Sequence, residues 1–78
     1  MSTTMDTLSV GDSARIVGYT GASKVFRRKL LSMGLTPGTE FEVIRCAPMG
    51  DPMELRVREF LLSIRRDEAV IILVEKRS

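Results

Sequence analysis

Apolar and polar positions alternate along most of this chain, and in one stretch they recur at helical spacing instead. Leu8 to Asp12 reads as a short turn into a first predicted strand, Ser13 to Tyr19, where Ala14, Ile16 and Gly18 alternate with Val17 and Tyr19. Gly18 and Gly21 break that pattern, and Ser23 is a good N-cap. Lys24 to Met33 then holds no Gly or Pro, so a helix is predicted there. At about 100° per residue, Phe26, Leu30 and Met33 fall in one narrow arc, the stripe of an amphipathic helix. Val25 lies at the edge of the arc and Leu31 well off it. Gly34 is placed as a left-handed C-cap, and Pro37-Gly38 as the central pair of a type II turn.

A second strand is predicted over Glu40 to Ala47, with Phe41 and Val43 on one side and Ile44 and Cys46 on the other. Pro48 to Pro52 is a loop in which Gly50 can take a positive φ, so a hairpin follows. Met53, Leu55 and Val57 alternate with Glu54, Arg56 and Arg58, a half-buried strand. Leu61 to Arg65 is a further strand, Arg66 to Glu68 a charged turn, and Ala69 to Val74 an apolar strand covered on both sides. Met1 to Met5 is expected to be a flexible polar tail on a single domain, residues 1–78. About five strands and one helix cannot bury both faces of a flat sheet at this length. The expected fold is therefore mainly β, a small barrel with the helix inserted between the first and second strands. An open ferredoxin-like sheet competes, but it needs two crossover helices.

Composition narrows the chemistry. The chain has 78 residues, one Cys and no His, so it lacks the commonest acid–base residue and the commonest nitrogen metal ligand. Cys46 has no imidazole to activate it, and one thiol cannot build a zinc or iron–sulfur site. The nearest carboxylate pairs, Glu40/Glu42 and Asp67/Glu68, read as solvated faces. There is no phosphate-binding Gly-rich loop and no nucleophile elbow. An enzyme is not expected, nor a cofactor, nor a metal site, although an oxygen-only site stays open. A lone Cys, the lack of a secretory signal at the start and a longest apolar run of six residues, Ala69 to Val74, point to a soluble cytoplasmic protein.

The net charge of +2 hides an asymmetry. Ser13 to Gly38 contains no acid but carries Arg15, Lys24, Arg27, Arg28 and Lys29; residues 39–78 carry eight acids and seven bases. A solvated helix face explains this blandly; an acidic docking partner steered by the patch explains it functionally. Leu31 either packs under the Pro48–Pro52 loop or stands exposed as an anchor beside the patch. The loop Pro48, Met49, Gly50, Asp51 and Pro52 is a second candidate contact, with Met49 as its adaptable side chain. The partner-binding candidates are thus Lys24, Arg27, Arg28, Leu31 and Pro48 to Pro52.

Three segments together resemble the FeoA family of bacterial ferrous iron transport proteins: Arg28-Lys29-Leu30-Leu31-Ser32-Met33-Gly34-Leu35-Thr36-Pro37-Gly38, Ala47-Pro48-Met49-Gly50-Asp51-Pro52 and Leu62-Ser63-Ile64-Arg65-Arg66-Asp67-Glu68-Ala69. Leu8, Val10 and Gly11 also fit, so the resemblance covers nearly the whole chain. It implies an SH3-like barrel with an inserted helix. The role it implies is a small cytosolic accessory of transition-metal transport, docking on the cytoplasmic part of the FeoB transporter, which carries a G-protein domain. Lys29 departs from the family's usual Arg, losing bidentate geometry, and Glu59 from a Gly in the turn before Phe60. The alternative role is an SH3-like nucleic-acid-binding domain or a regulatory domain of the metal-repressor type. Only Tyr19, Phe26, Phe41 and Phe60 could stack on bases, which argues against nucleic acid. An iron chaperone lacks soft or nitrogen ligands. Pairing of copies through free strand edges is left open.

Overall fold

The structure, a computed structural model, describes residues 2–21 and 24–77. Its strands are β1 (Thr3–Thr4), β2 (Ser13–Tyr19), β3 (Glu40–Cys46), β4 (Met53–Val57), β5 (Phe60–Ile64) and β6 (Ile72–Arg77). Helix α1 (Lys24–Ser32) lies between β2 and β3, and a short helix α2 (Arg66–Ala69) between β5 and β6. All six strands join one antiparallel sheet in the order β1-β6-β2-β3-β4-β5. The fold is mainly β and SH3-like, as expected, with α1 in its expected place.

The turns form as the local chemistry dictates. Gly34 adopts φ 87°, its N–H bonds the Leu31 carbonyl, and the Leu35 N–H reaches back to Leu30. That is a Schellman ending, closed by Leu30 against Leu35, both fully buried. Gly38 has φ 94° and the Thr39 N–H bonds the Thr36 carbonyl at 3.1 Å, the type II turn predicted around Pro37-Gly38. The proposed N-cap, Ser23, lies outside the described residues.

Several expectations change. The sheet is not closed: β1 and β5 are its two ends. Met5, Leu8, Leu30, Leu35 and Ala69, all from outside the strands, join Ile16, Val43, Leu55, Ile64 and Val74 in one core. Because helix and turns supply that cover, the apolar face is buried without strand-to-strand closure. The N-terminal segment is not a free tail, since Thr3 pairs with Val74, Thr4 with Leu73, and Met5 is completely buried. This adds the sixth strand. The last strand starts at Ile72 rather than Ala69, because Arg66–Ala69 winds into α2 and Ala69 is spent on the core. Positive φ falls on two non-glycine turn residues, Met49 (69°) in the Pro48–Pro52 loop and Arg58 (57°), the latter just before Glu59. A non-Gly residue there costs on the order of 1 kcal/mol.

Candidate functional site

Helix α1 turns its stripe inward: Leu30 is fully buried, and Phe26 and Met33 pack partly against the core. Lys24, Arg27, Arg28 and Leu31 recur at i, i+3, i+4 and i+7, so they share the opposite face, and all are exposed. Leu31 is 41% exposed and is not part of the core. Its position off the helical arc decides this: a side chain on the far face cannot reach the core. None of Lys24, Arg27 and Arg28 forms an ion pair with a described residue. The first turn of α1 also contains no acid. Cations at the positive end of a helix dipole are unfavourable, so local stability does not explain this row. Arg27 also acts on Tyr19: burial raises the Tyr19 hydroxyl above the usual tyrosine range, while the Arg27 charge opposes that shift. The Tyr19 hydroxyl donates to the Leu35 carbonyl, tying β2 to the chain just beyond α1.

The Pro48–Pro52 loop meets a different flank of the helix. A cleft of about 470 Å³ is lined by Lys29 from α1, Met33 just beyond its end, Pro52 from the loop, and Ser63, Arg65 and Glu68. Lys29 and Met33 lie four apart and well round the helix from the Lys24–Leu31 row. The nine candidate residues thus fall into two places rather than one. Within the loop, Met49 is 91% exposed, and the Asp51 carboxylate accepts the Arg66 N–H at 3.2 Å. Asp51 therefore anchors the loop to the start of α2.

Sequence reasoning did not find the pair that braces this flank. Glu68 is only 5% exposed; one carboxylate oxygen accepts the Arg65 N–H at 3.0 Å, and the other lies 3.1 Å from Lys29 Nζ. Lys29 also sits 6.0 Å from the Phe26 ring centroid. A Glu three residues after Arg65 was the available signal, half of a capping box without its Ser or Thr. Lys29 is thus engaged inside the protein, which separates it from the three unpaired cations. Elsewhere, Glu42 faces Arg56, Glu40 faces Arg77, Arg15 bridges Glu75 at 2.9 Å and Lys76 lies 3.4 Å from Asp12. Among the described residues no three Cys, Asp or Glu side chains converge to hold a metal ion, and Cys46 is a half-buried free thiol. No helix among them is long and apolar enough to cross a membrane.

The model of the FeoA domain matches residues 3–76. The chain belongs to the FeoA family. A fusion of Fe(2+) transport protein A with the Fe(2+) transporter FeoB from Porphyromonas gingivalis is 41% identical over 68 residues. That match covers 87% of this chain but 8% of the fusion, so the chain spans a small part of that relative. The NMR structure of a FeoA-like protein from Clostridium acetobutylicum is 40% identical, with TM-score 0.84, over 95% of this chain and 85% of that one. The zinc complex of Stenotrophomonas maltophilia FeoA, a procaryotic SH3 domain protein, is 25% identical, with TM-score 0.74, over 92% of this chain and 88% of that one.

Proposed function

We propose that this FeoA-family chain is a non-enzymatic cytosolic accessory of ferrous iron uptake that docks on the cytoplasmic part of a FeoB-type transporter and modulates transport or its G-protein cycle. The observation that carries the reading is the fusion relative, in which a segment similar to this chain is joined covalently to the transporter. Covalent fusion makes their encounter intramolecular, which suits two parts that work together. The Stenotrophomonas maltophilia relative, put forward as a ferrous iron transport activating factor, supports the same role. The docking contact is the row Lys24, Arg27, Arg28 and Leu31, whose unpaired charges steer an acidic surface while Leu31 supplies an apolar anchor. Pro48, Met49, Gly50, Asp51 and Pro52 form a second contact on the other flank of the helix.

The test is capture of detergent-solubilised transporter by wild type and by the double variant Arg27→Glu/Arg28→Glu, with GTP hydrolysis measured on the same samples. Capture weakened by at least about tenfold and made salt-insensitive in the variant is expected. Equal, salt-independent capture by both overturns the basic-face contact. No capture by wild type at any salt concentration overturns docking itself. Binding of generic RNA or DNA at physiological salt would instead support a nucleic-acid-binding role.

A further inference from the structure

The two ends of the sheet are guarded very differently. β1 offers only two residues to a neighbouring strand. β5, at the other end, is five residues long, Phe60-Leu61-Leu62-Ser63-Ile64, without a charge, a proline or a shift in its register against β4. Proteins usually blunt such an edge with one of those devices. Moreover, Phe60 is 45% and Leu61 57% exposed.

The backbone direction follows from the hairpin. Arg58 and Glu59 form a two-residue turn closed by Val57 opposite Phe60, which is a hydrogen-bonded position. Phe60, Leu62 and Ile64 therefore turn their N–H and C=O groups toward β4, while Leu61 and Ser63 turn theirs outward. No backbone partner beyond β4 is found for either among the described residues. Ser63 also lines the open cleft shared with Lys29 and Met33, so α1 does not seal this edge.

We propose that β5 pairs antiparallel with β5 of a second copy of this chain, about a two-fold axis at Leu62. In that register Leu61 stands opposite Ser63 of the partner subunit, and Ser63 opposite the partner's Leu61. Each pair exchanges both outward backbone bonds. The same register sets Glu59 opposite Arg65 of the partner subunit, and symmetry repeats the contact. Both side chains are exposed, and neither forms an ion pair with a described residue within one copy. Centring the axis on Leu61 would put Glu59 against a serine, so charge selects Leu62. The segment is self-complementary, which favours a second copy over an unrelated strand. One pair of five-residue edges is a small interface, so the dimer is weak.

Sedimentation equilibrium of the full chain, from low micromolar to millimolar concentration, tests the proposal. Wild type should pass from monomer to dimer. Ser63→Pro removes an outward N–H at a position where an edge strand accepts proline, and Leu61→Lys guards the edge; each should weaken dimerisation by at least roughly tenfold while circular dichroism stays unchanged. Glu59→Arg and Arg65→Glu alone should each weaken it, and combining them should restore it. A monomer at every concentration overturns the proposal, as does a dimer that folded Ser63→Pro and Leu61→Lys leave intact. If the chain stays monomeric and Ser63→Pro abolishes transporter capture, the edge belongs to the transporter and the self-pairing is overturned.

Discussion

Two parts of this molecule are rich in charge and use it in opposite ways. Along β2, β3, β4 and β6, Arg15, Arg56, Arg77 and Lys76 each face a carboxylate on another strand or a turn. On the outer face of α1, Lys24, Arg27 and Arg28 face none among the described residues. Cross-strand pairs cancel each other's field and are worth little individually. Unpaired cations on a rigid helix keep their field and project it into solvent. Charge therefore marks a candidate contact only where the fold leaves it unspent, and Lys29, one step along the same helix, shows how local that distinction is.

The sharpest break of this contrast lies within α1 itself. Leu30→Ala should cost about 2–5 kcal/mol in chemical denaturation, because its side chain is fully buried. Leu31→Ala should cost less than about 1 kcal/mol, since that side chain stands on the exposed face. Equal losses would mean that the outer face is not free. Next in size is Glu68→Ala, expected to cost about 1–2 kcal/mol by orphaning the Arg65 N–H and releasing Lys29. Lys29→Ala should cost less, because the lysine is mostly exposed and solvent screens its charge. Smaller still, Arg15→Ala and the double reversal at Arg27 and Arg28 should each leave stability within about 0.5 kcal/mol. Only the reversal should disturb capture of the transporter.

The smallest effect is a pH dependence on the paired side. The Ser9 N–H, and less strongly Lys76, hold the Asp12 carboxyl below the usual carboxylate range against the opposing effect of burial. Its folded pKa is thus lower than its unfolded one. The stabilisation it brings is present above about pH 4 and is lost as pH falls through the folded value. Asp12→Asn should flatten the acid limb of a stability–pH curve, and an unchanged limb would remove Asp12 from that account.

Much of the fold was legible residue by residue. Ser13 to Tyr19, the helix beginning at Lys24 and the alternation Met53, Leu55, Val57 rest on periodicity, and Gly34 and Pro37-Gly38 on backbone sterics; all are local properties. Met5 reads as tail because a single apolar residue among polar neighbours has no periodicity to betray it. It is buried only because β6 returns beside β1 from the other end of the chain. Likewise the arc of α1 already set Leu31 apart from Leu30, but nothing local separated Lys29 from Arg28.

What the sequence by itself determined is helix α1 and the five strands from Ser13 onward, the family they belong to and the inventory of charges, because each depends on neighbours close along the chain or on motif order. The tertiary structure alone decided which charges are spent. It drew Glu68 to Lys29 across 39 residues and set Glu42 against Arg56. It also left one flank of the helix and one edge of the sheet without a partner among the described residues. Pairing is a matter of distance in space, and spacing along the chain does not encode it.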